Sequence, residues 1–291
     1  MTERDLWRER RARWRLSAES KIRTAADAAA FLADVGLCLM DSPPTALVLP
    51  TFAGACGAED GSPAAPQAAH EPQNSPAREF VPPMLRERSA FEAPFGEDNI
   101  LLLSPEVFPY FYAVAGEREP ARALEPPSAR QPRSQLVRDA FRLIHQHGVM
   151  SKQSLREHLG AQVSEVATDR VLRELWQRLL IARVDHKPAE GALWDTLGHW
   201  APEVAKQAAG ISLAEGLSAV LSKYLDAAIA AEQAAIEALF SDFSSRARIR
   251  EALQALLAAR EVSFVQVGRK TMLQVKQPEA RNEETRTRVR S

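Results

Sequence analysis

Basic and polar side chains recur on the outward face of two long predicted helices, and their chemistry suits the binding of phosphate groups. In each helix an apolar stripe with a spacing of three to four residues leaves the opposite face to solvent. The outward residues of the two helices, with those of the turn after the second, are Arg170, Arg173, Gln177, Arg246, Arg248, Arg250, Arg269 and Lys270. Guanidinium and ammonium groups in this arrangement can contact a nucleic-acid backbone, although arginines on an exposed helix are also commonly just solvated.

The two helices differ in their charge balance. Residues 244–260 carry four arginines and one glutamate, whereas residues 164–180 set three arginines against three acidic residues. Acidic neighbours repel phosphates, so the second helix and the basic turn after it are the better candidates for a nucleic-acid contact.

The elements that would position these side chains occur twice. Residues 134–197 and 212–275 each read as helix, helix, long helix and a pair of short strands. In the long helix Val171, Leu175 and Leu179 align with three later residues, Ile249, Leu253 and Leu257. Three helices closed by a β-hairpin is the winged helix-turn-helix pattern, in which the third helix enters the major groove. The predicted fold is mainly α with small β-hairpins (α+β), built from tandem winged helix-turn-helix units.

The remaining chain divides by composition. We predict an N-terminal helical segment (1–56), a Pro/Ala-rich linker or long loop (57–99) and an aromatic segment with its connection (100–133). The two winged helices then occupy 134–202 and 203–276, and a disordered tail covers 277–291.

Two features of the N-terminal segment bear on its structure. Thr24 with Asp27 three residues later predicts the start of a helix. The arginine-rich residues 2–16 are open to two interpretations. They could lie on phosphates, or form a capping helix whose tryptophans dock on the body while its basic face is solvated.

Composition excludes several classes of protein. The net charge of −1 argues against a dedicated non-specific DNA coat protein. Cys38 and Cys56 lie among apolar or small residues and fit buried thiols in a reducing compartment. No apolar run is long enough for a membrane span, so we expect a soluble cytoplasmic protein that does not engage a membrane.

Signatures of cofactor and metal chemistry are missing from the sequence. His145 and His147 are two residues apart and would not share a helix face, so we expect no metal site. The sequence also has no phosphate-cradling glycine loop and no spacing that argues for a Ser/His/Asp set, and we expect no cofactor.

The order of several motifs resembles the winged-helix DNA glycosylases of the AlkZ/YcaQ type. Over residues 134–275 the resemblance rests on the tandem units, on Leu193-Trp194-Asp195 and on Trp200-Ala201-Pro202-Glu203. A related, divergent bacterial branch is closer still. The motifs that it shares with this chain are Leu6-Trp7-Arg8-Glu9-Arg10, Val35-Gly36-Leu37-Cys38, Leu49-Pro50 and Phe108-Pro109-Tyr110-Phe111-Tyr112.

The resemblance implies a concave body that binds double-stranded DNA, and an enzyme that releases alkylated purines and unhooks crosslinks. In that family a Gln-x-Gln or Gln-x-Asp motif near the N-terminus positions the attacking water. Here the corresponding stretch, residues 36–41, contains no glutamine and retains at most Asp41 as a candidate catalytic residue.

Three hypotheses follow for the function. The first is a DNA-binding protein of tandem winged helices without the family's catalysis. The second is a divergent glycosylase that uses Asp41 or another carboxylate. The third is a winged-helix scaffold that binds other proteins.

Overall fold

The same order of elements occurs three times along the chain. The structure, a computed structural model, describes residues 1–41, 47–57, 76–96, 99–120 and 135–276, so the predicted tail lies outside the described residues. A helix, α1 (Glu3–Arg13), precedes the first of three units, which we number 1 to 3. Small antiparallel sheets sit among many helices, as expected for an α+β fold.

Unit 1, residues 25–103, is a helical group closed by a small sheet. Its elements are α2 (Ala25–Val35), β1 (Leu37–Leu39), α3 (Phe52–Cys56), α4 (Pro76–Arg86), β2 (Phe91–Phe95) and β3 (Asn99–Leu103). The antiparallel sheet has the order β1-β3-β2, so the last strand is central. Thr24 and Asp27 form the predicted capping box at the start of α2. The helix α5 (Phe108–Ala115) follows the unit.

Unit 2, residues 135–196, has the same topology. Its elements are α6 (Gln135–His147), β4 (Met150–Ser151), α7 (Lys152–Leu159), α8 (Glu165–Gln177), β5 (Ile181–Lys187) and β6 (Gly191–Thr196). The sheet order β4-β6-β5 again places the last strand in the centre. Two short helices, α9 (Leu197–Trp200) and α10 (Pro202–Ala209), lead to the third unit.

Unit 3, residues 213–275, reduces the first strand to a single bridge. Its elements are α11 (Leu213–Ala228), α12 (Gln233–Phe240), α13 (Arg246–Ala258), β7 (Val262–Val267) and β8 (Lys270–Val275). Between α11 and α12, Ala231 forms an antiparallel bridge with Leu273 of β8. Ala231 therefore occupies the place that β1 and β4 hold in the other two units.

An identical turn ends the third helix of every unit. Arg88, Leu179 and Arg260 each adopt a left-handed conformation, with φ of 57°, 52° and 60°. The N–H of each residue donates to the carbonyl three residues back, and the next N–H donates to the carbonyl five residues back. This pair of bonds is the Schellman motif. The turn identifies the structurally equivalent positions of the three units.

The turn also changes the alignment of units 2 and 3. The sequence pattern pairs Leu179 with Leu257, but the turn pairs Leu179 with Arg260, nearly one helical turn further on. Gly148 and Ile229, the left-handed residues after the first helices, have the same separation. A shift of three residues keeps an apolar stripe on nearly the same face, so periodicity alone does not fix the register.

Unit 1 differs most from the sequence prediction. Residues 57–99 are expected to form a linker or loop, yet α4 and β2 both lie in the second half of this range. Pro82 and Pro83 favour a loop interpretation, but they lie inside α4. Ala77, Val81 and Met84 of α4 are buried at helical spacing, and this packing outweighs the prolines.

The N-terminal helix α1 packs on unit 3. Leu6 joins an apolar cluster with Val267 and Met272 of the β7-β8 hairpin. The indole Nε1 of Trp14 donates to the carbonyl of Ala227 at 2.7 Å, and Arg10 Nε donates to the carbonyl of Ala228 at 3.0 Å. These donors cap the C-terminal end of α11, whose last carbonyls lack helical partners. The capping-helix interpretation therefore describes this part of the arginine-rich segment.

Within the described residues, no helix combines the length and apolar character that a membrane span requires.

Candidate nucleic-acid interface

Helix α13 presents its basic residues on the first two turns. Ser245 caps the helix by accepting a hydrogen bond from the backbone N–H of Arg248. Ile249 and Leu253 turn into the core, and Arg246 and Arg248 on the same helix are exposed. Both arginines face solvent, as the helical periodicity of the sequence predicts.

Arg250 is exposed as well, but a buried acid holds its guanidinium. Its Nε donates to Oε1 of Glu237 on α12 at 2.9 Å, and Gln233 Nε2 donates to the same oxygen at 2.9 Å. These hydrogen bonds, the one from Arg250 first, lower the pKa of Glu237. The side chain of Arg250 remains 53% exposed, so its other nitrogen atoms can still reach a ligand.

The β7-β8 hairpin adds further positive charge at its tip. Gly268 takes the left-handed conformation that the tight turn needs, with φ of 57°, and Arg269 and Lys270 follow it. The ammonium group of Lys270 binds the carboxylate of Glu232, and this hydrogen bond raises the pKa of Lys270. Arg269 is exposed and makes no ion pair within the described part of the chain.

The predicted site residues of unit 2 lie on another helix, α8. Arg170, Arg173 and Gln177 are exposed along α8, as the periodicity predicts. The start of the same helix carries Glu165 and Asp169, which bind Lys152 at 2.8 Å and 3.1 Å. The structure therefore groups the basic residues of unit 3 on one helix and hairpin and leaves those of unit 2 on a charge-balanced helix.

Units 1 and 2 cover part of each other through equivalent elements. Helix α4 of unit 1 packs on β5 of unit 2, α8 of unit 2 packs on β2 of unit 1, and the two strands contact each other. Glu92 of β2 and Arg183 of β5 form an ion pair at 3.4 Å in this contact, and Arg86 reaches Asp185 at 3.5 Å. Each strand thus buries its outer face against the neighbouring unit.

The equivalent face of unit 3 is open. The equivalent positions of the three units, each four residues after the left-handed residue of the turn, are Glu92, Arg183 and Phe264. They lie on β2, β5 and β7, which pair with β3, β6 and β8 respectively. Glu92 is 5% exposed, whereas Phe264 is 61% exposed. The extensive contacts of α13 are with α11, α12 and β7 of its own unit.

The stretch in which the resemblance places catalysis is part of the core. Strand β1 is covered on both faces, since Leu37 and Leu39 belong to one apolar cluster and Cys38 and Met40 to another. Burial raises the pKa of the Cys38 thiol. Asp41 follows at the end of this strand and is partly exposed. A pair of water-holding side chains at positions 38–40 would point into apolar surroundings.

The structure contains a carboxylate–histidine pair between units 2 and 3 that the sequence did not predict. Asp195 is buried at the end of β6, and its Oδ2 lies 3.0 Å from Nδ1 of His199, whose ring is exposed. The spacing of four residues across a strand–helix junction has no periodic signature. His147 and His158 also approach each other, with ring centroids 4.8 Å apart. The described residues contain no group of three or more side chains that could hold a metal ion.

One cleft of about 630 Å³ lies between α11, α13 and the residues before α5. Its charged lining is mostly acidic, with Glu106, Glu215, Asp226 and Glu261 around Lys223. An acidic cleft repels phosphates, so it is not part of the basic surface of unit 3.

Comparison with known proteins adds one match. The family model described as DNA glycosylase AlkZ-like matches residues 74–290, well over half of the chain. The matched range includes α4 and all of units 2 and 3, and begins after β1. No curated protein matches the chain, and no solved structure does.

Proposed function

The chain belongs to the AlkZ-like DNA glycosylase family, and on this basis we propose that it binds double-stranded DNA through unit 3. The bound surface consists of α13 and the tip of the β7-β8 hairpin. Its basic residues are Arg246, Arg248, Arg250, Arg269 and Lys270. DNA as the partner fits the cytoplasmic location that the sequence leads us to expect.

The proposal includes winged-helix geometry for the repeated units. Support comes from the shared order of helix, strand, helix, helix and hairpin, with the last strand central in both three-stranded sheets. In a winged helix, the third helix enters the major groove and the hairpin reaches neighbouring phosphates. The corresponding elements here are α13 and the residues around Gly268.

A single observation favours unit 3 over the other two. In units 1 and 2 the third helix of each unit packs on the first hairpin strand of the other. The same face of unit 3 is uncovered and carries exposed arginines. A duplex needs an open, convex helix with cations beside it. Residues Arg170, Arg173 and Gln177 of unit 2 then play at most an auxiliary part.

The test is a binding titration with a fluorescent duplex of about 20 base pairs at several salt concentrations. Each phosphate that is neutralised contributes about −0.9 to the slope of log K against log salt, so four contacts give a slope of roughly −3.5. Absence of binding at about 50 mM salt, where electrostatic affinity is strong, would contradict the proposal and favour the protein-binding scaffold.

Glycosylase activity is the second candidate function, and the family match favours it. We propose that the chain does not use the family's glutamine pair, because residues 38–40 are apolar and buried on both faces of β1. General-base chemistry requires a polar group within hydrogen-bond reach of the water that it activates. Asp41 and the Asp195–His199 pair are two candidates that could replace it.

We expect no abasic sites above background when excess protein is incubated with duplexes carrying N7-alkylated or crosslinked purines. Release of bases by the unmodified protein would establish a divergent glycosylase. Two variants would then locate the chemistry. Loss of release in Asp41→Asn alone would identify Asp41, and loss in His199→Gln alone would identify the pair.

A further inference from the structure

An exposed aromatic side chain stands in the middle of the open face of unit 3. Phe264 is 61% exposed, although it lies within a strand rather than at a terminus. On its face of the hairpin, Val262 and Leu273 pack into the core that α13 also lines. An exposed ring of this size lacks the stabilisation that burial would bring and is available to a partner that covers it.

The equivalent positions in the other units indicate what such a face does. In units 1 and 2 it is occupied by Glu92 and Arg183, which bind each other across the contact between the units. Position 264 is apolar and has no such partner unit. Strand β7 is also an edge strand, because its only paired neighbour among the described residues is β8. The face therefore corresponds in position to the faces through which units 1 and 2 contact each other, but it is itself uncovered.

The charge around Phe264 favours an anionic partner. The same hairpin carries Arg269 and Lys270 at its tip, and Arg246 and Arg248 stand on the neighbouring helix. Two acids lie near the tip: Glu232 is paired with Lys270, and Glu3 of α1 lies against Gly268, so the cations still outnumber the acids there. An exposed aromatic ring on a surface that also carries guanidinium groups is a combination that binds nucleic acid, since bases stack on the ring while the cations bind the backbone.

A second copy of the chain fits this face less well. A two-fold dimer brings the same patch of both copies into one interface, so a contact through Phe264 would also bring the basic groups of both copies close together. Like charges at short range oppose such a contact.

We propose that Phe264 stacks on an unpaired nucleobase, so that the protein prefers DNA with an unstacked nucleotide to a perfect duplex. The inference rests on the proposed DNA binding by unit 3. The arginines supply affinity for any duplex, and the ring adds affinity only where a base is free to leave the stack. Stacking of one base on an aromatic side chain changes affinity by about 5- to 150-fold.

The experiment compares two duplexes that differ by one unpaired 2-aminopurine in the middle of one strand. We expect the protein to bind the bulged duplex at least about 5-fold more tightly and to quench the 2-aminopurine fluorescence. Phe264→Ala should abolish both the preference and the quenching while it keeps the affinity for the perfect duplex within about two-fold. Phe264→Trp, which retains a ring, should keep the preference, and Phe264→Leu, which retains only an apolar side chain, should lose it.

Each contrary result has a distinct meaning. Equal affinity of the unmodified protein for both duplexes would overturn the inference and leave the proposed function intact. An equal loss of affinity for both duplexes in Phe264→Ala would also overturn it, because the ring would then support the surface in general. If neither duplex binds, the proposed function fails as well. A dimer in light scattering that Phe264→Ala dissociates would assign the face to a second copy instead.

Discussion

Replacing Arg246, Arg248 and Arg269 together with alanine lowers the affinity for duplex DNA by at least about 100-fold near 0.1 M salt and flattens the salt dependence. All three side chains are exposed, and none is bound in an ion pair among the described residues. Removing one phosphate contact reduces the slope of log K against log salt by about 1. Loss of three such contacts leaves little of the electrostatic term.

Arg250 and Lys270 are left unchanged in this variant for a structural reason. Glu237 and Glu232 already bind them, so alanine at either position would leave an acid without its cation next to the proposed DNA-binding surface. An effect of that change would mix a lost phosphate contact with a new repulsion. None of the three arginines holds an acid in an ion pair among the described residues, so their replacement reports chiefly on the phosphate contacts.

The matched control lies on unit 2. Alanine at Arg170, Arg173 and Gln177 also removes exposed polar side chains from a third helix, but this helix is charge-balanced by Glu165 and Asp169. We expect affinity within about three-fold of the unmodified protein, as for contacts peripheral to the main surface. A larger loss of affinity in the control than in the unit 3 variant would contradict the proposal and assign the DNA-binding surface to α8.

Local features of the fold could be predicted from sequence, because each is encoded within a few neighbouring residues. The capping box of Thr24 and Asp27 and the hairpin turn at Gly268 occur where the pattern places them. The outward orientation of Arg248 follows from helical periodicity in the same way. Such signals depend on backbone geometry rather than on tertiary contacts.

Unit 1 could not be recognised from the sequence as a further copy of the repeat, because its local sequence pattern does not indicate its topology. Unit 1 carries prolines inside its third helix, and its α3–α4 connection falls in the proline- and alanine-rich stretch that composition assigns to a linker. Its hairpin strand β2 also contains Pro94. The equivalence appears in the folded unit, in the sheet order β1-β3-β2 and in the Schellman turn at Arg88, which has the same two hydrogen bonds as at Leu179 and Arg260. Long-range pairing of β1 with β3 has no local signature either.

Sequence and structure contribute differently to the candidate sites. Absence of the glutamine pair is visible in residues 36–41, but burial of β1 on both faces becomes visible only when the strand is placed between two apolar clusters. The open face around Phe264 was not predicted, since its meaning comes from comparison with Glu92 and Arg183 in the folded units.

The contact between units 1 and 2 should depend strongly on Arg183. Its guanidinium lies over the ring of Trp176, 4.2 Å from the centroid, and 5.1 Å from that of Trp194. It also binds Glu92, which is 5% exposed. Arg183→Ala removes both aromatic contacts and leaves a buried carboxylate without its cation. Breaking a buried pair in this way costs about 3–5 kcal/mol, and we expect a loss of this size in the free energy of unfolding.

A double-mutant cycle with Glu92→Ala, measured by urea unfolding, separates the ion pair from the aromatic contacts. The double variant should be more stable than the sum of the single losses predicts, by about 1–3 kcal/mol, because it leaves no unpaired charge behind.

Arg86→Ala is the control, since Arg86 of unit 1 binds Asp185 of unit 2 but is 58% exposed. Because this arginine lies largely in solvent and Asp185 keeps the hydrogen bond from the His186 N–H, we expect its removal to cost only about 0–1 kcal/mol. Strictly additive losses at Glu92 and Arg183 would contradict the coupling. The contact between units 1 and 2 would then not depend on the Glu92–Arg183 ion pair, and the comparison of this covered face with the open face of unit 3 would lose its energetic basis.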